Sequence, residues 1–128
     1  MRGVATALEQ IEGTAFATIA RQLAGGIEAL EQASEWLRRS LASDPEAALA
    51  GSVNYLMLTG YVCGGWQLAR AALRANAALN EHKADRFFQA KIITASFYAE
   101  QILPRTAALL AMVRAGASYA GQLPVEQF

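Results

Sequence analysis

The feature that most constrains the fold of this chain is an alternation of three- and four-residue steps between apolar or small residues. It is cleanest near the C-terminus, at Phe88, Ile92, Ala95, Ala99, Ile102, Thr106, Leu109 and Val113. Such steps keep side chains on one side of an α-helix, which has about 3.6 residues per turn. They predict a helix over about 85–115, kinked just before Pro104 because proline removes one amide and clashes with the preceding turn. Asp85 is the expected cap and Gly116 the expected end.

The same spacing predicts a first helix over about 3–41. Its register residues are Val4, Leu8, Ile11, Ala15, Ile19, Leu23, Gly26, Leu30, Ala33, Leu37 and Leu41. Two adjacent glycines, Gly25 and Gly26, interrupt this stretch, and together they cost about 2 kcal/mol relative to alanines in a helix. We expect a bend or break there, and we favour a kink because the register continues across the pair.

The segment "SLASDPEAAL" predicts the start of a second helix, over about 45–79. Ser43 or Asp44 can cap it, Pro45 needs no donor in the first turn, and an acidic residue follows. The predicted core stripe is Leu49, Val53, Leu56, Gly60, Cys63 or Gly64, Gln67 or Leu68, Ala71 and Ala75. The stretch carries no charge between Glu46 and Arg70 and is long enough to be considered as a membrane span. A buried core helix is favoured, because polar residues interrupt the run and the strongest apolar residues share one stripe.

No strand pattern is visible, and two short connections join the three predicted helices. The fold class predicted is therefore all-α. We expect a single domain, residues 1–128, built as an antiparallel bundle of three long helices that are kinked or split into four. A short tail, residues 119–128, follows with aromatic and apolar anchors.

Composition narrows the possible partners. Lys plus Arg and Asp plus Glu number 11 each, which argues against nucleic acid as a partner. A hydrophobic content of 54% against 17% charged predicts apolar surface that is covered by a partner, and a homo-oligomer is expected. One cysteine cannot form an internal disulfide, and no secretory signal is visible, so a reducing, cytoplasmic setting is expected.

The three glycines of "GYVCGGWQLARAAL" raise the question of a phosphate-binding loop. Trp66 and Gln67 follow Gly65 where a Walker loop needs Lys and Ser or Thr, and the spacing does not match the dinucleotide pattern. Gly60 and Gly64 instead lie one helical turn apart, where small residues let another backbone approach. Close helix packing is the favoured interpretation.

Other reactive residues favour ordinary roles. His82 is expected in a solvated connection and Cys63 as a small buried hydrophobe. The carboxylates spaced like di-metal ligands, Glu28, Glu31 and Glu35, lack the matching Glu-x-x-His on other helices, so a solvated face is favoured. A second stripe on the third helix, Lys91, Tyr98 and Arg105, is either an interaction surface or a wet face.

The stretches "GYVCGGWQLARAALRA" and "FFQAKIITASFYAEQILPRTAALLAMVRAGA" resemble the helical C-terminal extension of one branch of acyl-CoA dehydrogenases, the 3-methylmercaptopropionyl-CoA dehydrogenase-like branch. The matching residues are Gly64, Gly65, Trp66, Ala71, Phe88, Lys91, Phe97, Tyr98, Leu103, Pro104, Ala115 and Gly116. The resemblance is strongest from about Ser52 to Ala117. It implies that the chain is the C-terminal part of a larger enzyme, whose FAD and catalytic glutamate belong to a preceding core.

No catalytic, cofactor-binding or metal-binding residue is therefore assigned to this chain. The resemblance implies a non-catalytic accessory and assembly domain that packs on the dehydrogenase core or on a second subunit. The residues expected to serve helix packing or that interface are Gly60, Gly64, Gly65, Trp66, Phe97, Tyr98, Pro104 and Arg105. The alternative is a free-standing helical module that self-associates and has no enzymatic activity.

Overall fold

The chain folds into α-helices connected by short turns. The computed structural model describes residues 1–81 and 85–117. The helices of these ranges are α1 (Arg2–Glu9), α2 (Thr14–Ser43), α3 (Pro45–Asn80), α4 (Arg86–Gln101) and α5 (Arg105–Ala115). No strand occurs in the same ranges, and the predicted all-α class is confirmed. His82 and the tail over 119–128 lie outside the described residues.

The break in the first predicted helix lies at Gly13, not at the glycine pair. Gly13 precedes α2 with a φ of 128°, a conformation that side-chain-bearing residues rarely adopt. α2 then continues through Gly25 and Gly26. A Cβ on Gly26 would lie 3.3 Å from a methyl carbon of Val62. Glycine at this position therefore permits close packing of α2 against α3, which offsets its low helix propensity.

Side-chain caps begin α3 and α4 as the sequence predicts. Asp44, rather than Ser43, caps α3, because its carboxylate accepts a hydrogen bond from the Ala47 amide at 3.1 Å. Asp85 caps α4 by accepting from the Phe87 amide at 2.8 Å. Each cap satisfies one of the amides that a helix leaves free at its N-terminus.

Pro104 separates two helices instead of kinking one. α4 ends at Gln101, Pro104 occupies the N-cap position of α5, and Leu103 lies fully buried at the corner between them. The amide of Leu103 still donates to the carbonyl of Tyr98 at 3.1 Å. α5 ends at Gly116 with a φ of 59°, and the predicted glycine stop is confirmed.

The core lies where the two longest helices meet the α4 and α5 pair. Both α2 and α3 contact α4 and α5, and α1 packs on α2 and α3. Contacts between α2 and α3 run in opposite chain directions, since Gly26 lies against Val62 and Ser34 hydrogen bonds to Tyr55 at 2.9 Å. The largest fully buried side chains are Leu8, Ile19, Leu23, Leu58, Leu103, Val62 and Val113.

Candidate interaction surface

The glycines that the sequence groups together have different surroundings in the structure. A Cβ added to Gly65 would lie 2.8 Å from a methyl carbon of the buried Leu103, and one on Gly64 would lie 2.6 Å from the Tyr98 hydroxyl oxygen. A Cβ on Gly60 would meet nothing within 4 Å. Gly64 and Gly65 therefore lie at close contacts inside the domain, whereas Gly60 lies on its exterior.

Tyr98 connects α4 to the middle of α3. Its hydroxyl donates to the backbone carbonyl of Tyr61 at 3.1 Å. Burial raises the pKa of the Tyr98 hydroxyl, because desolvation penalises the phenolate, and the neighbouring Tyr61 and Cys63 act in the same direction. This side chain occupies the space that Gly64 leaves free, so these two members of the expected set are in direct contact.

The predicted core stripe of α3 is wrong at its members from Leu49 to Gly60, which are exposed, and of its remaining residues only Ala75 is fully buried. Leu49, Val53 and Leu56 are 68%, 65% and 71% exposed. The buried residues of α3 are Ala47, Ala48, Gly51, Leu58, Val62, Gly65, Ala69, Ala72 and Ala75. The physical reason is that α2, α4 and α5 all approach the same side of α3, where mainly small side chains fit.

The exposed residues Leu49, Val53, Leu56 and Gly60 form a continuous stripe, named here the outer α3 face. They follow one another at steps of four, three and four, which places them on one side of the helix. No charged residue occurs between Ala47 and Ala69. Large side chains exposed in a contiguous uncharged stripe are typical of a surface that another structure covers.

The other expected interface residues lie on α4, at the α4–α5 corner and farther along α3. Phe97 is 63% exposed and, with Ile93 one turn earlier, forms the outer α4 pair. Arg105 is exposed and donates through Nε to the Gln101 carbonyl at 3.1 Å, which satisfies one free acceptor at the end of α4. Pro104, next to it, is also exposed.

Trp66 is half-buried against the core. The guanidinium of Arg70 lies 5.1 Å from the centre of its ring, a cation–π arrangement. The indole N–H is buried without a hydrogen-bond partner among the described residues. Trp66 is thus a packing residue whose polar end contributes no internal hydrogen bond there.

The α2 carboxylates that resemble di-metal ligands have partners on the surface. Gln32 donates to Glu28, and Arg2 pairs with Glu31. Hydrogen bonds from Arg38 and Arg39 hold the pKa of Glu35 at about 2. Within residues 1–81 and 85–117, no three His, Cys, Asp or Glu side chains come together as metal ligands.

Two open grooves allow a test of whether this chain could hold a flavin. The first, about 440 Å³ between α2 and α5, contains Glu28 but no basic side chain. The second, about 410 Å³, contains Arg39, which pairs with Glu35, and Arg114, which donates to Gln32. FAD requires donors for its pyrophosphate, usually amides of a glycine-rich turn at a helix N-terminus. Neither groove is lined by such a glycine-rich turn, and no step of flavin chemistry is assigned to these residues.

Two further features of the sequence are the single cysteine, Cys63, and the uncharged stretch of α3. Cys63 is partly exposed and forms no disulfide, so it is less buried than expected. In the part of the chain that the structure describes, no helix combines the length and hydropathy needed to cross a bilayer. The uncharged stretch of α3 is instead divided between a buried side and the outer α3 face.

Sequence reasoning missed Leu49, Val53 and Leu56 as surface residues. No signal in the sequence marked them, because the stretch from Ala47 to Ala69 has no charge to indicate which side of the helix faces water. The polar residues Asn54 and Thr59 of this stretch do not mark the solvent side of the helix either, since both are only partly exposed.

Comparison with known proteins gives two findings. Residues 2–124 match the family model described as "Acetyl-CoA dehydrogenase C-terminal like". Over 91 residues the chain is 43% identical to a 3-methylmercaptopropionyl-CoA dehydrogenase of Ruegeria pomeroyi. This match covers 71% of the chain but only 16% of the relative. The resemblance noted from residues 52–117 is confirmed, and the chain spans a small part of the length of its relative.

Proposed function

This chain belongs to the acetyl-CoA dehydrogenase C-terminal-like family, and we propose that it is a non-catalytic accessory domain of a larger, FAD-dependent acyl-CoA dehydrogenase. The relative's name specifies a dehydrogenase acting on a CoA thioester. In this proposal the parent's core holds the FAD, the catalytic base and the acyl-CoA site. The domain supports assembly by packing on that core or on a second subunit, in a cytoplasmic homo-oligomer.

The observation that carries the proposal is the outer α3 face. Leu49, Val53 and Leu56 are large apolar side chains in water, and burying one fully contributes about 1.5–3 kcal/mol. The match covers only 16% of the dehydrogenase relative, and in this proposal the rest of such a parent is the partner that covers these side chains. Packing is therefore the role that its exposed chemistry supports best.

The expected interface residues divide between two tasks in this proposal. Gly64, Gly65 and Tyr98 hold α4 against α3 within the domain. Gly60 and Phe97 face outward, where a partner can reach them. The contacts between α2 and α3 run in opposite chain directions. This supports an antiparallel bundle whose three parts are α2, α3 and the pair formed by α4 and α5.

The proposal is tested in the source cells by tagging the chromosomal gene and isolating the native polypeptide. We expect a mass well above the 13.7 kDa of this chain, bound FAD, and reduction of an electron acceptor on addition of acyl-CoA. Replacing Glu28, Glu31 and Glu35 together by Gln is expected to leave the turnover number of that enzyme unchanged. A native polypeptide of 13.7 kDa that isolates without a dehydrogenase would contradict the proposal.

Free-standing self-association is the alternative, and the same exposed apolar residues favour it. It requires that the chain alone form a stable oligomer. Light scattering coupled to size exclusion separates the two functions, since the alternative predicts a multiple of 13.7 kDa across micromolar concentrations. The accessory-domain proposal predicts that oligomerisation requires the longer polypeptide.

A further inference from the structure

The outer α3 face differs from the exposed side of the neighbouring long helix. On α2 the exposed residues include Glu28, Glu31 and Arg38, whose charges interact well with water. On α3, the exposed stretch from Leu49 to Gly60 contains no charge. Both helices belong to one bundle, so this difference indicates that water covers the outer side of α2 and protein covers that of α3.

The shape of the outer α3 face indicates how it is covered. Leu49, Val53 and Leu56 form a ridge, and Gly60 follows with open space above it. A protruding apolar side chain or a helix backbone can approach closely at Gly60, since no Cβ is there to hold it away. The α4 side of the same glycine cluster is already filled, because Tyr98 occupies the space at Gly64.

The size of the face distinguishes a covalently attached partner from a second copy of the chain. A stable complex of separate proteins buries about 800 Å² on each partner, usually with some 20–30 residues a side. The outer α3 face has four residues, with the exposed Met57 beside them, far fewer than those roughly 20–30. A partner in the same polypeptide needs less area, because tethering gives an effective concentration in the roughly millimolar range. Interfaces between domains of one chain are correspondingly smaller.

We propose that the dehydrogenase core of the same polypeptide packs on the outer α3 face. The core contacts this face through an uncharged apolar surface and approaches it most closely at Gly60. This inference rests on the proposed function and names the partner and the face. In the relative, the match covers 16% of the length, so 84% remains as polypeptide that could form such a core.

The test is site-specific photo-crosslinking in the full-length parent enzyme. p-Benzoylphenylalanine replaces Leu56 on the outer α3 face, or Leu41 on α2, which is also exposed at 61%. We expect mass spectrometry to find cross-links from position 56 to the dehydrogenase core within one polypeptide, and none from position 41. Cross-links from position 56 to a second copy, detected by mixing isotope-labelled and unlabelled protein, would overturn the inference. Their absence at position 56 would overturn it as well.

A pair of charge substitutions gives an independent readout. Leu56→Arg is expected to increase the rate at which a protease releases the domain from the full-length enzyme by about tenfold or more, because the contact opens more often. Leu41→Arg, the matched control, is expected to leave that rate nearly unchanged. Equal rates for both variants would contradict the inference.

The outcomes separate this inference from the proposed function. Flavin content and acyl-CoA oxidation are measured on the same preparations. An enzyme that binds FAD and oxidises acyl-CoA but shows no contact at position 56 retains the proposed function and loses the inference. A polypeptide without flavin or activity contradicts the proposed function, wherever position 56 forms its cross-links.

Discussion

The two sides of α3 differ in side-chain size more than in polarity. Its inner side, against α2, α4 and α5, contains Gly51, Gly65 and several alanines, with Leu58 and Val62 as the large buried residues. On its outer side, Leu49, Val53 and Leu56 are large side chains exposed to solvent. Both sides are free of charge over the same stretch.

The space between the helices therefore selects the inner residues of α3. At Gly51 a Cβ would lie 3.0 Å from the backbone carbonyl oxygen of Val113, which a side-chain rotation cannot relieve. Tight packing gives many dispersion contacts, and it excludes bulky residues however apolar they are. Apart from Leu58 and Val62, which are fully buried, large apolar residues of α3 such as Leu49, Val53 and Leu56 therefore remain outside, where only another structure can cover them.

The largest contrast is expected from one substitution made on both sides of the helix. Leu58→Ala removes a fully buried side chain and is expected to lower the free energy of unfolding by about 2–5 kcal/mol. Leu56→Ala, at a residue 71% exposed, is expected to change it by no more than about 0.5 kcal/mol. Urea denaturation of the 128-residue chain measures both, and similar losses would contradict the assignment of sides.

Enlarging a glycine tests the same contrast in the opposite direction. Gly65→Leu forces side-chain atoms into the space of the buried Leu103, and we expect a loss of about 1–3 kcal/mol or more. Gly60→Leu has open space around it and is the control. Thermal unfolding of both variants is the measurement, and an unchanged melting temperature for Gly65→Leu would disprove close packing there.

The hydrogen bond between α4 and α3 contributes a smaller amount. Tyr98→Phe removes the donor to the Tyr61 carbonyl and is expected to cost about 0.5–1.5 kcal/mol. Tyr55→Phe, which removes the partner of Ser34, is a control for loss of a half-buried hydroxyl elsewhere. Unfolding in urea at neutral pH gives both values, and no loss for Tyr98→Phe would contradict a contribution from this bond.

The same residue predicts a pH dependence. Because the folded state raises the pKa of Tyr98, the unfolded state loses this proton first as the pH rises. The associated stability is complete below the ordinary tyrosine pKa of about 10 and is lost above it. Tyr98→Phe should flatten this part of the curve of stability against pH, and an identical slope in both proteins would contradict the expected role of burial.

The smallest expected effect is a gain in stability. Gly60→Ala places a methyl group in open space and replaces a poor helix former, so we expect about 0.5–1 kcal/mol of added stability. Gly64→Ala is the matched variant, and its methyl group would collide with the Tyr98 hydroxyl. Calorimetric melting of the two proteins should shift in opposite directions, and equal shifts would remove the distinction between the glycines.

Local signals allowed much of the fold to be predicted. Caps at Asp44 and Asp85 and the stop at Gly116 depend on hydrogen bonds and backbone conformations within a few residues. The chain break at Gly13 was missed, and one was expected at Gly25 and Gly26. A glycine that ends a helix and one that allows packing look alike in sequence, because neighbours distant in the chain decide between the two.

Of the candidate interface, only the close contacts on the inner side of α3 were indicated by the sequence, through its small residues. Gly60, Gly64 and Gly65 were all expected at close contacts; the structure brings Gly64 and Gly65 against Tyr98 and Leu103 but leaves open space at Gly60. The outer α3 face could not be separated from the core by periodicity. The stretch of α3 from Ala47 to Ala69 has no charged stripe from which its orientation can be deduced.

Local propensity and shared motifs are enough to show that this chain is helical, where its capped helices begin and to which family it belongs. Which side of α3 is inside depends on the packing of the whole domain. That choice depends on how closely α2, α4 and α5 approach, and the distance is set by residues far apart in the chain, such as Gly51 with Val113 and Gly65 with Leu103. Close approach required small residues inside, and it left Leu49, Val53 and Leu56 outside.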